Sequence, residues 1–100
     1  MVPIDKVKDI IKKYDFLEKE LSSGKIDPKL FANKSKEYSN LGSIINIARK
    51  VVNFEKKKKD LLNMVQDKTN DQEMIDLAQN DLNDLIKKKE NYDSALKVFL

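Results

Sequence analysis

The chain has 100 residues, of which 37% are charged and 7% are aromatic, and its formal net charge is +3. It contains no cysteine and no histidine, so disulfides, thiolate chemistry, zinc sites and the usual nucleophile–base pairs are close to excluded. No apolar run approaches the ~20 residues that cross a bilayer, and the N-terminus lacks the apolar core of a signal peptide. With only two glycines and two prolines, the composition favours a cytoplasmic, all-α protein of one domain, residues 1–100, without a cofactor.

Charge is distributed unevenly along the chain. Residues 1–22 carry five basic and five acidic side chains, residues 23–66 carry ten and four, and residues 67–100 carry five and eight. A nucleic-acid-binding domain that is basic throughout would show a different pattern. The distribution indicates a basic element that lies against an acidic one.

The first predicted helix covers residues 4–22. Its apolar residues recur at steps of three and four, which is typical of one stripe along a helix. These residues are Ile4, Val7, Ile11, Tyr14, Leu17 and Leu21, with Ile10 and Phe16 beside them. Pro3 suits the first turn, and Gly24 suits a left-handed C-terminal stop. The helix has no net charge, so we interpret it as a packing helix and not as a basic helix on a membrane surface.

The second predicted helix covers residues 28–66, with Asp27 as its N-terminal cap and Pro28 in its first turn. Its apolar stripe keeps its phase on both sides of Gly42, so we predict one continuous helix of roughly 58 Å. A break near residues 39–43 is the alternative. In a continuous helix, Gly42 would let another backbone approach closely.

The only dense charge run lies in this helix and consists of Lys56, Lys57, Lys58 and Lys59. Adjacent lysines can contact nucleic-acid phosphates. Consecutive helical residues, however, point about 100° apart, so the four side chains encircle the helix and do not form one patch. The run therefore fits either a solvated surface or RNA-phosphate contacts, and we retain its four members as candidate site residues.

The third predicted helix covers residues 71–99, with Asn70 and Glu73 as a capping box and Thr69 with Gln72 as the shifted alternative. A turn at residues 67–70 pairs it with the second helix, so that Leu62 faces the region of Met74. The expected fold is all-α, with a short N-terminal helix packed on a long antiparallel two-helix hairpin. The residues expected to share its core are Ile4, Val7, Ile11, Tyr38, Leu41, Ile45, Tyr92, Leu96 and Phe99.

Two segments resemble a known family. Residues 36–41, Lys-Glu-Tyr-Ser-Asn-Leu, resemble the start of the long helix in bacterial class I peptide chain release factors. Residues 71–82, Asp-Gln-Glu-Met-Ile-Asp-Leu-Ala-Gln-Asn-Asp-Leu, are similar to a signature of the peptide chain release factor 1 family. The order of the helices also agrees, so the resemblance covers essentially the whole chain.

The resemblance implies the N-terminal domain of a factor that ends translation at stop codons. The codon-reading tripeptide and the Gly-Gly-Gln hydrolysis loop of the family belong to later domains and have no counterpart here, so we expect no enzymatic activity. The implied partners are the ribosome, through large-subunit RNA and protein near the stalk base, and the class II release-factor GTPase. Neither a membrane nor a small-molecule substrate is implied.

Two other functions fit an antiparallel hairpin. The first is the RNA-binding arm of a seryl-tRNA synthetase, which would need a basic face on both helices, whereas residues 67–84 hold six acids and one lysine. The second is a structural coiled-coil adaptor, in which the apolar stripes pair between two chains.

Overall fold

The computed structural model describes residues 2–100, and that range folds into four helices without a strand. The helices are α1 (Ile4–Ser23), α2 (Pro28–Gly42), α3 (Ile45–Gln66) and α4 (Gln72–Lys97). The predicted all-α class is confirmed. The prediction of three helices is wrong, because residues 28–66 form two helices and not one.

The end of α1 and the start of α2 lie where the sequence predicts them. The side chain of Asp27 accepts a hydrogen bond from the backbone N–H of Lys29 at 3.0 Å, and Pro28 occupies the first turn of α2. Gly24 ends α1 with a φ of 70°, a left-handed conformation that favours glycine. Both predictions are confirmed.

The cap of the last helix differs from the prediction. Asp71 is the N-cap of α4, and its Oδ1 accepts a hydrogen bond from the backbone N–H of Met74 at 2.8 Å. The two residues predicted as caps, Thr69 and Asn70, form hydrogen bonds within the turn instead. Asn70 donates from Nδ2 to the carbonyl of Met64 at 3.0 Å, and Thr69 donates from its backbone N–H and its hydroxyl to Asp67.

A short break separates α2 from α3. Ile44, with φ −118° and ψ −9°, departs from ideal α-helical angles, and its N–H donates to the carbonyl of Leu41 at 3.0 Å. The Ser43 hydroxyl donates to the carbonyl of Asn40 at 2.7 Å, a local bond that competes with helix continuation. At the break, the consecutive residues Ile44 and Ile45 are both buried. This burial explains why the helix is interrupted at this point.

Gly42 does not serve a close approach of two backbones. A Cβ at this position would lie 3.7 Å from Cε2 of Tyr14, which is an ordinary side-chain contact. The interpretation of Gly42 as a contact point for another backbone is therefore wrong, and its role in the break is that of a weak helix former.

The core lies where α1, the start of α3 and the end of α4 meet. Its buried cluster contains Val2, Val7, Ile10, Ile44, Ala48, Val51 and Leu96. Of the expected core, Val7, Ile45 and Leu96 are buried, and Ile11, Leu41 and Tyr92 pack partly buried against the cluster. Ile4 and Phe99 are exposed and Tyr38 is half-buried, so the prediction that these three residues share the core is wrong.

Polar pairs join α1 to α2, a helix that contains no buried residue. The rings of Tyr14 and Tyr38 stack with centroids 4.6 Å apart, and a hydrogen bond of 3.0 Å joins their hydroxyl oxygens. Ion pairs join Lys34 to Glu20 and Glu37 to Lys13. These contacts hold α2 antiparallel to α1.

The molecule is elongated, with extents of 61 × 25 × 19 Å and a radius of gyration of 18.3 Å. A compact domain of this length has a radius of about 13 Å. Helices α3 and α4 form an antiparallel pair, as expected for the predicted hairpin, and the part of this pair beyond the core is a two-helix arm. Among residues 2–100, the structure shows no helix with the length and apolarity that a membrane span requires.

Candidate nucleic-acid interface

A cleft lies along one side of the arm, between α3 and α4. It has a volume of about 540 Å³ and is called here the lysine cleft. Three lysines line it together with one asparagine and one tyrosine, and these residues are Lys50, Asn53, Lys57, Lys88 and Tyr92. Phe54, Leu61 and Leu85 supply apolar lining.

Helical spacing places these side chains on one side of the arm. On α3, Lys50, Asn53 and Lys57 are separated by three and four residues, so they share a face. On α4, Asp84 and Lys88 are four residues apart and face the same cleft. Lys50, Lys57 and Lys88 are exposed, and no ion pair within residues 2–100 contains them.

Aromatic rings lie beneath several of the ammonium groups. Lys50 Nζ is 5.7 Å from the ring centroid of Tyr92, a distance at which a cation is attracted to the ring face. Lys89 Nζ lies 5.2 Å from the ring centroid of Phe54 and also bonds both carboxylate oxygens of Asp93, at 2.9 and 2.8 Å. The Lys89 charge is therefore matched within the molecule.

The four candidate lysines point in different directions, as expected from their spacing. Lys57 lines the lysine cleft, and Lys58 is half-buried with its Nζ 5.8 Å from the centroid of Phe54. Lys56 and Lys59 are exposed outside the cleft lining. The structure thus does not gather the run into one site, and the contact of these residues with phosphate stays a prediction.

The fold instead brings Lys57 together with Lys50 and Lys88, two residues that the sequence reasoning did not select. Lys50 lies seven residues from Lys57, nearly two helical turns, so this pair was visible in the sequence. Lys88 comes from the other helix, and only the antiparallel register places it there. In the predicted antiparallel pairing of the two helices, residue 50 lies within one position of the residue opposite 88. That pairing could therefore have identified the site from the sequence.

The charge of the lysine cleft changes along its length. Lys50 and Lys88 lie toward the core, whereas Asp81 and Asp84 lie toward the hairpin turn. Lys57 and Asp81 line the same cleft, as the predicted register implies, but they form no ion pair in the described chain. An anionic ligand would therefore be attracted to the end of the cleft near the core.

A second, more apolar cleft of about 460 Å³ lies between the N-terminal segment and the arm. Val2, Pro3 and Ile4 line it on one side, and Val51 and Phe54 on the other. Phe54 is common to both clefts. Within residues 2–100, no three carboxylates lie in an arrangement that could hold a metal ion.

Two ionisable groups with shifted pKa values lie outside the lysine cleft. The hydrogen bond with the Tyr14 hydroxyl raises the pKa of Tyr38 to about 12. Hydrogen bonds from the side chain and the backbone of Thr69 lower the pKa of Asp67. Both shifts come from contacts that order the helix pair or the turn.

The lysine cleft offers a ligand ammonium groups, an amide and an aromatic ring. These groups suit RNA phosphates and bases.

Comparison with known proteins gives a consistent result. The PCRF domain family matches residues 10–100. Peptide chain release factor 1 of Pelagibacter ubique (strain HTCC1062) is 46% identical over 100 residues, which are all of this chain and 28% of that protein. The chain therefore spans just over a quarter of the length of this curated relative. No solved structure matches the chain significantly. The resemblance inferred from residues 71–82 is confirmed.

Proposed function

Because the chain belongs to the PCRF domain family, we propose that it is a ribosome-docking module of peptide chain release factor 1, acting in translation termination at stop codons. The observation that carries the proposal is the 46% identity to such a factor over the whole chain. The module works by binding and orientation, without catalysis of its own, in the cytoplasm. Its partners are large-subunit RNA and protein near the stalk base, and the class II release-factor GTPase.

The shape of the molecule supports a role in orientation. Two paired helices in a body 61 Å long form a stiff element that can fix the position of whatever is attached to it. The seryl-tRNA synthetase arm shares this shape but requires a basic face on both helices. Asp81 and Asp84 on α4 disfavour that alternative.

The basic end of the lysine cleft is the surface that we assign to RNA. Lys50, Lys57 and Lys88 are exposed and outside any ion pair of residues 2–100, so their charges can act on an external phosphate. Neutralising a phosphate releases bound counterions, which makes the affinity depend on salt. The neighbouring Lys56, Lys58 and Lys59 add positive charge around α3 and are retained as further candidate contacts.

The first test measures binding of the chain to large ribosomal subunits at several salt concentrations. We expect the triple substitution K50A/K57A/K88A to weaken binding about 10- to 100-fold, and to flatten the slope of log affinity against log salt by about two units. The matched control is K6A/K8A/K12A, which removes three exposed lysines of α1 and changes the net charge equally. Equal effects of the two triple variants would contradict the assignment of the cleft to RNA.

A second variant separates the cleft from the lysine run. K56A/K58A/K59A leaves Lys57 and the cleft intact. If this variant weakens binding more than the cleft variant does, the run as a whole makes the contact. If the unsubstituted chain does not bind the subunits at any salt concentration, the docking function itself is refuted.

A further inference from the structure

Three large apolar side chains are exposed together at the end of the arm that is remote from the core. Met64 is 39% exposed, Met74 is 44% exposed and Leu77 is 61% exposed. They are called here the tip patch. The hairpin turn joins the two helices that carry them.

Helical geometry places the three residues on the side of the arm that carries the lysine cleft. Lys57 on α3 and Asp81 on α4 line that cleft. Met64 lies seven residues after Lys57, and Met74 lies seven residues before Asp81, so both methionines are nearer the turn. Seven residues make nearly two full turns of a helix, so both methionines stay on the same face. Leu77 lies between Met74 and Asp81, at steps of three and four.

The hairpin turn holds the tip patch in place. The Asn70 side chain bonds to the backbone carbonyl of Met64 at 3.0 Å, and the Asp71 side chain bonds to the backbone N–H of Met74 at 2.8 Å. Asp67 accepts two hydrogen bonds from Thr69 within the same turn. The backbone that carries the two methionines is therefore held in place before a partner binds, which lowers part of the entropy cost of binding.

The charge around the tip patch selects the kind of partner. Residues 67–84 hold six acids and one lysine. Three of these acids, Glu73, Asp81 and Asp84, lie four or seven residues from Leu77 and share its face of α4, where they are exposed. Such a surface attracts lysine and arginine side chains more strongly than it attracts nucleic-acid phosphates.

We propose that the tip patch docks a basic amphipathic segment of a protein partner. The apolar side chains of that segment pack on Met64, Met74 and Leu77, and its lysines or arginines face the surrounding acids. Methionine side chains are flexible and polarizable, so they adapt to different apolar surfaces. The inference goes beyond the proposed RNA contact, because it assigns the opposite end of the same face to a protein.

The test uses methyl NMR signals of Met64 and Met74 in the intact chain and needs no ribosome. The first probe is a helical peptide of about five turns, with leucines along one stripe and lysines elsewhere. The other two probes are the same peptide with glutamate in place of lysine, and a single-stranded oligouridine. We expect the lysine peptide alone to shift both methionine signals, and we expect a higher salt concentration to weaken its binding.

Matched substitutions locate the contact. We expect L77S to weaken binding of the lysine peptide about tenfold, because an apolar anchor is lost. F16S is the control, since Phe16 is 62% exposed on α1, outside the tip patch. Equal weakening by the two substitutions would overturn the assignment.

Other outcomes also overturn the proposal. Equal shifts with the glutamate peptide would mean unselective apolar contact. Shifts with oligouridine would assign the tip to RNA, and shifts that grow with protein concentration alone would assign it to a second copy of the chain. Because no ribosome is present, each of these results leaves the ribosome-docking function untouched.

Discussion

At the residue scale, the Tyr14–Tyr38 pair links α1 to α2 through stacked rings and a hydroxyl–hydroxyl hydrogen bond. That bond raises the pKa of Tyr38 to about 12, from the ordinary value of 10.0. A raised folded-state pKa means that the unfolded chain loses this proton first. The stabilising contribution is therefore fully present below pH ~10 and is lost as the pH rises through ~12.

We expect Tyr38→Phe to reduce the loss of stability between pH 10 and pH 12, because it removes the group that titrates there. Urea unfolding at pH 9 and pH 11 measures this difference, and the ultraviolet absorbance of ionised tyrosine follows the titration. Tyr92→Phe is the control, since Tyr92 lies outside this pair. If Tyr38 ionises near pH 10 in the folded chain, the pairing described here has no energetic consequence.

Individual caps show how far the sequence determines structure at this scale. Asp27 was predictable because a proline follows it and no competing cap residue lies beside it. Thr69, Asn70 and Asp71 are all good N-caps, so the sequence left the start of α4 open. The turn decided the cap, because Asn70 is engaged by the carbonyl of Met64 and leaves Asp71 to cap the helix.

At the scale of elements, the two glycines occupy opposite environments. Gly42 ends α2 without a positive φ, and a Cβ there would make an ordinary contact with Tyr14. Gly24 has a φ of 70°, where a side chain is strained although space is free. The same substitution should therefore have opposite effects at the two positions.

We expect Gly42→Ala to stabilise the chain by about 0.5–1 kcal/mol, because alanine restricts the unfolded chain and favours the helix. Gly24→Ala should destabilise it by about 1 kcal/mol. Thermal unfolding of the two variants measures both effects, and each variant serves as the control for the other. A lower melting temperature for Gly42→Ala would mean that the break between α2 and α3 needs glycine.

The break between α2 and α3 lies next to residues 39–43, where the sequence offered it as the alternative, and the preferred prediction of a continuous helix is wrong. The apolar stripe of residues 28–66 keeps its phase, because only Ser43 and Ile44 lie between α2 and α3. The gain from the break is the burial of Ile44 and Ile45, which depends on packing with other helices. Periodicity within one segment does not contain that information, whereas the antiparallel register of α3 and α4 followed from pairing two stripes.

At the scale of the whole molecule, the middle of the two apolar stripes in the arm is buried within one chain. Phe54 on α3 and Ala78 and Leu82 on α4 are buried without a second copy. The structural coiled-coil alternative requires these stripes to pair between chains. We therefore expect a monomer of 11.6 kDa with a radius of gyration close to 18 Å, as in the structure, where it is 18.3 Å.

Small-angle X-ray scattering together with light scattering checks this prediction at several protein concentrations. A doubled mass would support the coiled-coil adaptor. A radius near 13 Å, the value for a compact domain of this length, would contradict the extended arm.

The division of charge along the arm was only partly readable from the sequence. The net charges of the three segments showed that residues 23–66 are basic and residues 67–100 are acidic. The predicted pairing of the helices placed these two segments side by side. The sequence did not show that one face of the arm would carry Lys50 and Lys88 near the core and Asp81 toward the turn. That arrangement depends on the rotation of each helix about its own axis in the folded pair.

Phe54 lines both the lysine cleft and the apolar cleft. One aromatic ring is therefore shared by two surfaces of different chemistry, one charged and one apolar. Any rotation of its side chain would reshape both surfaces at once. Replacing it with alanine would remove a wall that the two clefts share and enlarge both.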